Sequence, residues 1–162
     1  GSFGVEFLDR VSKICFWTPD KGEFWLGREA WEYSYRSFDS KMKGLWMVTA
    51  VELELDRADQ KDIRAAMART SVKKRASQPV TAKTCGCVFK NPASDVAAGW
   101  LLDQAGFKGM RHQDVAFSDK HANFLINLGK GTTRQALELL GEAQAVVKDK
   151  YGYQLELEVE RI

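Results

Sequence analysis

The sequence predicts an α+β protein whose sheets are mostly antiparallel. Segments that alternate apolar and polar residues, as strands do, are interspersed with segments of 3–4 apolar spacing, as in helices. Residues 11–17 and 23–26 are predicted strands, and residues 18–22 between them contain the Pro and Gly of a tight turn. The first two strands are therefore expected to form a hairpin.

The clearest predicted strand covers residues 46–55, after a short helical or irregular piece at 27–33. Its apolar residues Val51, Leu53 and Leu55 face one way. Glu52 and Glu54 between them face the other way, which is the alternation of a strand with two different faces.

A helix is predicted over residues 58–75, with Asp56 as its cap. Its apolar face consists of Ile63, Ala66 and Met67. The end of this helix is basic, which suits the negative end of the helix dipole, and its cations are Arg69, Lys73, Lys74 and Arg75. Gln78 and Pro79 end the helix, and a lobe boundary is expected nearby.

A shorter helix is predicted over residues 94–105. Ser94 is the expected N-cap and Gly106 the expected residue after the C-terminus. Val96, Trp100 and Leu101 form the expected buried stripe.

The last third of the chain predicts a loop and strand over 110–117, a strand over 122–128, the longest helix and a final strand. Thr132 with Gln135 forms a capping-box pattern at the start of the helix, and Gly152 ends it. Leu137, Leu140, Val147 and Tyr151 give its apolar spacing. In the final strand, residues 153–159, the inward residues are Leu155, Leu157 and Val159.

Composition limits the class of protein. The 162 residues are 44% hydrophobic and 28% charged with a formal net charge of +2, as in ordinary globular proteins. So small a charge does not indicate a nucleic-acid partner, and no apolar run is long enough to span a membrane. The three cysteines, Cys15, Cys85 and Cys87, indicate reduced thiols and a cytoplasmic protein, with no metal or disulfide framework.

Residues 84–92, with the sequence TCGCVFKNP, are the stretch around which the rest of the chain is organised. Gly86 permits a backbone turn between two thiols, and Pro92 ends a strand. Taken alone, these residues favour a strand that enters a loop, with both cysteines as small core residues.

Several motifs follow in a fixed order, and they cover almost the whole chain. GSFG opens it, YRS contains Arg36, and QP precedes TCGCVFKNP. The sequences AGWLLDQAGFKG (98–109) and SDKHANFLIN (118–127) come next. In this order the motifs resemble the MurB family, the UDP-N-acetylenolpyruvoylglucosamine reductases.

The resemblance implies a two-domain fold and a flavin reaction. Residues 1–56 would be the C-terminal part of an FAD-binding, vanillyl-alcohol-oxidase-like domain, and residues 57–162 a substrate-binding domain with a mostly antiparallel sheet. FAD, reduced by NADPH, would reduce the enolpyruvyl group of a UDP-sugar. Because the family's FAD site is built mainly upstream of GSFG, we expect this chain to be an incomplete fragment, with the FAD-binding half missing, cleaved or on a separate chain.

The resemblance assigns three catalytic residues. Cys87 matches the family Ser that protonates the intermediate, and a thiol with an ordinary pKa of about 8.5 is a stronger acid than an alcohol. Arg36 matches the Arg that contacts the enolpyruvyl carboxylate near the flavin, a contact that suits a planar guanidinium. Glu158 matches the Glu that polarises the same carboxylate, although from the sequence alone it is one of three acids on a polar strand face.

The resemblance also implies binding residues. No metal ligand is expected. The expected contacts to the UDP-sugar are Arg75, Lys90, Asn91, His121 and Asn123, and the expected contacts to the cofactor are Gly1, Gly4 and Arg36. This sequence departs from the family at Cys87, at Leu157, where the family has Pro, and in the loop over residues 110–115.

Two other functions remain open from the sequence. The chain could be a non-catalytic module that binds a nucleotide sugar without flavin. It could also bind DNA or RNA through the basic helix, and that binding would depend steeply on salt. The residues of this second alternative are Arg64, Arg69, Lys73, Lys74 and Arg75.

Overall fold

The protein is described by a computed structural model, which covers residues 4–160. Contacts divide the chain into two compact units, which we call unit 1 (Gly1–Ala66) and unit 2 (Met67–Ile162). The expected contact of Gly1 with a cofactor lies outside the described residues. The assignment of residues 1–56 and 57–162 to a cofactor domain and a substrate domain stays a prediction.

Unit 1 is built on a three-stranded antiparallel sheet of β1 (Val11–Thr18), β2 (Gly22–Gly27) and β5 (Met47–Leu53). The order is β2-β1-β5, so the predicted hairpin of β1 and β2 is confirmed. A second hairpin pairs β3 (Glu32–Ser34) with β4 (Ser37–Asp39). Two short 3-10 turns, Phe7–Arg10 and Arg28–Ala30, complete the unit.

The core of unit 1 lies against the central strand β1. Val11, Ile14, Phe16 and Trp31 are buried and pack together. The ring of Trp46 meets Phe16 edge-on, with 5.7 Å between the ring centroids. The middle strand supplies most of this core because it is paired on both sides.

Strand β5 was correctly predicted as a strand, but its apolar face is not buried. All seven of its residues are exposed, including Val51 and Leu53. The strand lies at an edge of the sheet and, among residues 4–160, pairs with β1 alone. Alternation reveals that a strand has two different faces; it does not reveal whether either face is covered.

The helix α1 (Gln60–Ser77) starts two residues later than predicted, and Asp56 is not its cap. Asp59 takes that place, because its carboxylate accepts a hydrogen bond from the Lys61 N–H at 2.8 Å. None of the residues of α1 is buried, so the predicted apolar face with Ile63 and Met67 is exposed. The helix ends before Gln78 and Pro79, as predicted.

Unit 2 contains a four-stranded antiparallel sheet in the order β6-β9-β8-β7. The strands are β6 (Thr84–Cys87), β7 (Arg111–His112), β8 (Val115–Phe117) and β9 (Phe124–Asn127). Two helices belong to the same unit, α2 (Ala98–Gln104) and α3 (Thr133–Tyr151). The predicted α+β class with mostly antiparallel sheets is confirmed.

The predicted start of α2 is wrong, and its predicted buried stripe is confirmed at Leu101 but wrong at Trp100. The helix begins at Ala98, its cap position is Ala97, and Ser94 lies outside it. Leu101 and Leu102 are buried, whereas Trp100 is 57% exposed. The shorter helix places Ala98, Leu101 and Leu102 on one face at the 3–4 spacing, and Trp100 points elsewhere.

The helix α3 begins and ends as predicted. Thr132 and Gln135 form a reciprocal capping box, and Gly152 is left-handed with φ +76°. Its buried residues are Leu139, Leu140, Ala143 and Val147.

Residues 153–159 do not form a regular strand, contrary to prediction, but they pair with the segment that follows β6. A single antiparallel bridge joins Phe89 and Leu157. Leu155 is buried, whereas Leu157 and Val159 pack against the same core from a partly exposed position. Over residues 4–160, no helix is long and apolar enough to cross a membrane.

Candidate active site

The extended segment that carries Cys87 begins with a bulge. Thr84 pairs with Ile126 and Cys87 with Phe124, so three steps along β6 match two steps along β9. The bulge is formed at Gly86, whose φ of +87° is a left-handed conformation that favours glycine. The Gly86 N–H donates to the Thr84 hydroxyl at 3.1 Å. The bulge places the Cys87 side chain on the same face of the sheet as that of its partner Phe124. Without the extra residue, Cys87 would lie on the same face as Cys85.

The two thiols therefore have different surroundings. Cys87 is half-buried, and Cys85 is exposed. Cys85 lines a cavity of about 250 Å³ together with Leu125 and the start of α3. The interpretation of both cysteines as core residues does not hold, and the third cysteine, Cys15, is the buried one.

The segment after Cys87, residues 88–91, is hydrogen-bonded along both edges. On one edge the Glu158 N–H donates to the Val88 carbonyl at 2.8 Å, and the Lys90 N–H donates to the Glu156 carbonyl at 2.9 Å. On the other edge the Val88 N–H donates to the Asn123 carbonyl at 2.9 Å. This pairing places Glu158 opposite Val88, one residue from Cys87, although 71 positions separate Glu158 from Cys87 in the sequence.

Two asparagine side chains fix the same segment. The Asn91 carbonyl oxygen Oδ1 accepts from the Ala98 N–H at 3.0 Å, which satisfies a donor in the first turn of α2. Asn123 is buried, and its amide pairs with both the N–H and the carbonyl of Phe89. Both residues were expected to contact substrate; that role is not tested by these contacts.

His121 lies in a turn that sequence inspection did not explain. The Ser118 hydroxyl, fully buried, accepts from the N–H groups of Lys120 and His121. His121 in turn accepts the Asn123 N–H on Nδ1 at 3.2 Å. Gly99 faces this ring so closely that an added Cβ would lie 2.9 Å from Cε1. The spacing of Ser118 and Lys120 is typical of a hydroxyl-capped turn and is a signal that could have found Ser118.

Burial lowers the pKa of His121, and the nearby positive charge of Lys108 lowers it further. The folded pKa is below that of the unfolded chain, so the imidazole is favoured as the neutral ring that accepts from Asn123. Its contribution to stability is complete above the unfolded pKa of about 6.5 and is lost as the pH falls through the folded pKa.

We therefore expect the free energy of unfolding to decrease between pH 7.5 and pH 5 by more in the original chain than in a His121→Asn variant. Asparagine keeps an acceptor for the N–H two residues on but does not titrate. Urea unfolding at each pH measures the difference. His112→Gln is the control, because His112 is the other of the two histidines in the chain. Equal pH dependence in the His121 variant and the original chain would contradict the assignment.

Three cationic residues lie on or near the segments that carry Cys87 and His121: Lys90, Lys120 and Arg75. The Lys90 ammonium lies 3.6 Å from the Glu156 carboxylate, and both groups are partly exposed. The Lys120 ammonium donates to the Arg75 carbonyl at 3.3 Å, so the end of α1 is tied to the turn that holds His121. Arg75 is exposed, as a contact to a phosphate requires.

In unit 1, Arg36 lies in the two-residue turn between β3 and β4 with φ +56°, an uncommon conformation for a residue other than glycine. Its guanidinium is 4.8 Å from the centre of the Tyr35 ring. Arg36 lines a cavity of about 330 Å³ together with Tyr33 and Phe38. The Tyr33 hydroxyl donates to the Asp9 carboxylate, which raises the pKa of Tyr33 and keeps it protonated.

Within unit 2, the structure places most of the predicted site residues along one segment and its hydrogen-bonded neighbours. They are Cys87, Lys90, Asn91, His121, Asn123 and Glu158. Arg36 and Gly4 belong to unit 1, where Gly4 has φ +80° and open space at its Cβ position. Among the described residues, no group of three or more His, Cys, Asp or Glu side chains could hold a metal ion.

The α+β fold of this chain is shared by a crystal structure of a protein from Thermus caldophilus. That structure, titled UDP-N-acetylenolpyruvylglucosamine reductase (MurB), matches with a TM-score of 0.82 and 30% identity, over 99% of this chain and 56% of that one. The profile of the UDP-N-acetylenolpyruvoylglucosamine reductase C-terminal domain matches residues 78–162. The chain belongs to this family, so the resemblance found in the sequence is confirmed.

Curated relatives with the same name match this chain over nearly all of its length. The UDP-N-acetylenolpyruvoylglucosamine reductase of Nitratidesulfovibrio vulgaris is 44% identical over 98% of this chain and 54% of its own length. That of Aquifex aeolicus is 35% identical over all of this chain and 53% of its own length. The chain spans about half the length of the curated relatives it matches.

Proposed function

We propose that this chain is the substrate-binding part of an FAD-dependent reductase. The proposed reaction reduces UDP-N-acetylglucosamine enolpyruvate to UDP-N-acetylmuramate, with NADPH as the hydride donor, in cytoplasmic peptidoglycan synthesis. The observation that carries the proposal is the backbone pairing that places Glu158 opposite Val88, between Cys87 and Lys90, within the span that matches the family.

The residues of unit 1 suit part of a flavin. An arginine beside aromatic rings suits a planar group that carries negative charge. A cavity of about 330 Å³ is at the low end for ligand sites, so it can hold a part of a dinucleotide cofactor. Arg36 and Gly4 would contact this group, and we propose that the rest of its site lies in a portion of the relatives that this chain does not match.

A reduced flavin held by Arg36 and Gly4 would supply the hydride for one carbon of the enolpyruvyl double bond. Cys87 donates a proton from its thiol to the adjacent carbon, which completes the reduction. Arg36 binds the enolpyruvyl carboxylate and stabilises the negative charge that develops there, and Glu158 polarises the same carboxylate. Because both electrons arrive with the hydride and Cys87 donates only a proton, no residue of the chain changes its redox state. The Cys87 thiolate takes up a proton from solvent before the next turnover.

Binding of the nucleotide sugar is assigned to cations and amides of unit 2. Arg75 and Lys90 would neutralise the diphosphate, and Arg75 can do so through two parallel hydrogen bonds. Asn91 and His121 would shape the sugar site. We propose that the FAD-binding half is supplied by a longer form of this chain or by a separate chain.

The test is a chimaeric reductase, in which the portion of the Nitratidesulfovibrio vulgaris protein that this chain does not match is joined to this chain. We expect the chimaera to be yellow and to oxidise NADPH only when the enolpyruvyl UDP-sugar is present. We expect the 162-residue chain alone to take up little FAD and to show no turnover.

Each result separates the alternatives. A colourless chimaera in which unit 2 still binds the UDP-sugar by calorimetry would indicate a non-catalytic binding module. Binding of DNA or RNA that weakens steeply with salt would indicate the basic-helix alternative. Substrate-dependent NADPH oxidation by the chimaera would support the proposed reductase function. Tight FAD uptake by the 162-residue chain alone would contradict the proposal that part of the FAD site lies outside it.

A further inference from the structure

Asn123 makes an unusual set of contacts at the centre of unit 2. It is 3% exposed. Its Oδ1 accepts from the Phe89 N–H at 3.0 Å, and its Nδ2 donates to the Phe89 carbonyl at 2.8 Å. The side-chain amide thus pairs with one residue as an adjacent strand does, with one donor and one acceptor.

The backbone of Asn123 is engaged as well. Its carbonyl accepts from the Val88 N–H at 2.9 Å, and its N–H donates to His121 Nδ1 at 3.2 Å. All four polar atoms of Asn123 therefore have partners inside the protein. A residue that is buried and paired in this way has little capacity left for a ligand.

The partners of this amide are two backbone groups of one residue, the N–H and the carbonyl of Phe89. Phe89 is 1% exposed and lies beyond the last residue pair of β6 with β9. The terminal segment bonds to its neighbours, Val88 and Lys90, and leaves the N–H and carbonyl of Phe89 to Asn123. Without the amide, two buried backbone groups would lack partners, which is costly.

We infer that Asn123 is a positioning residue: it holds the backbone between Cys87 and Lys90 in place and does not contact the substrate. The catalytic consequence of this inference rests on the proposed function, whereas the structural consequence does not. A fixed backbone at residue 89 restrains the thiol of Cys87 on one side and the amine of Lys90 on the other.

The test is Asn123→Asp in the 162-residue chain. A protonated carboxyl group can donate to the Phe89 carbonyl and accept from the Phe89 N–H, as the amide does. An ionised carboxylate cannot donate, and it faces a carbonyl oxygen. The folded state therefore raises the pKa of the introduced acid above its unfolded value of about 3.9.

The raised pKa determines how the stability of the variant changes with pH. The variant is close to the original chain in stability below about pH 3.9, and it loses stability as the pH rises through the raised folded pKa. At pH 7 we expect its folding equilibrium constant to be lower by roughly 10- to 100-fold, the cost of an unpaired buried group. Urea unfolding from pH 3.5 to pH 7.5 measures this dependence.

Asn127→Asp is the matched control, at the last residue of β9, the strand that follows Asn123. Asn127 is exposed, and its Oδ1 accepts from the N–H groups of Gly129 and Gly131. An ionised carboxylate keeps both of these bonds but loses the one that the Asn127 Nδ2 donates to the Gly131 carbonyl at 3.1 Å, which water can replace at this exposed site. This variant is therefore expected to lose much less stability than Asn123→Asp as the pH rises. Equal pH dependence in the two variants, or an Asn123→Asp chain as stable as the original at pH 7, would overturn the inference.

Two further measurements identify positioning. Hydrogen exchange at pH 7 is expected to rise in the Asn123→Asp variant within residues 87–91 more than in α3, and a uniform rise would contradict the inference. In the chimaeric reductase at pH 7 we expect kcat to fall with little change in KM. A higher KM with unchanged kcat would mean that Asn123 contacts the substrate, and an inactive chimaera would leave the unfolding and exchange results to decide.

Discussion

Replacing Cys87 by alanine is expected to slow reduction of the enolpyruvyl UDP-sugar by the chimaeric reductase by roughly 10²- to 10⁴-fold, the usual contribution of a general acid. The hydride can be delivered without Cys87, but the adjacent carbon then has no positioned proton donor. Reduction of the flavin by NADPH does not need that proton and is expected to be unchanged. Stopped-flow spectra of the two half-reactions measure the two rates separately.

Cys85→Ala is the control for the loss of a thiol. Cys85 is exposed and lines a cavity beside the start of α3, so its removal is expected to leave both half-reactions unchanged. A Cys87→Ala variant that reduces substrate at the original rate would show that another group supplies the proton.

Cys87→Ser tests the chemistry of the same position. Serine keeps a proton on the side chain and matches the residue of the family, so we expect most of the activity to remain. With cysteine the rate should fall once the pH is high enough to ionise the thiol, because a thiolate has no proton to donate. The serine variant should lack this alkaline limb, and a shared limb would assign it to another group.

Much of the candidate site could be predicted from the sequence because it lies in a short span. Cys87, Lys90 and Asn91 are neighbours in a motif, and Gly86 marks the turn that the bulge requires. The pairing of Asn123 with Phe89 could not be predicted in the same way. It joins a side chain to a backbone group 34 positions away, and no local pattern specifies such a bond.

The sequence also predicted those parts of the fold that depend on residues close together in the chain. The hairpin at the start and the capping box of α3 depend on residues within a few positions of each other. Burial is different, because it depends on which other elements cover a face. The apolar residues of β5 and α1 have the spacing of buried faces, yet all of β5 is exposed and α1 has no buried residue.

Leu102→Ala is expected to lower the free energy of unfolding of unit 2 by about 2–5 kcal/mol, through lost burial and the cavity left behind. Leu102 has 0% exposure and belongs to the core that also contains Phe117 and Leu140. Against a total stability of about 5–15 kcal/mol for a typical domain, this is a large loss. Hydrogen exchange of the α3 amides in increasing urea measures unit 2 by itself.

The same experiment decides between the predicted and the observed faces of α2. The apolar stripe predicted from the sequence includes Trp100 as a buried residue. In the structure Trp100 is 57% exposed and Leu102 is buried. Trp100→Ala removes a larger side chain and should nevertheless cost less than Leu102→Ala, because hydrophobic stabilisation depends on the area withdrawn from water. Leu128→Ala, at a leucine that is 45% exposed, is the matched control and should cost least. If Trp100→Ala were the most destabilising of the three, α2 would be rotated toward the face that its sequence predicted.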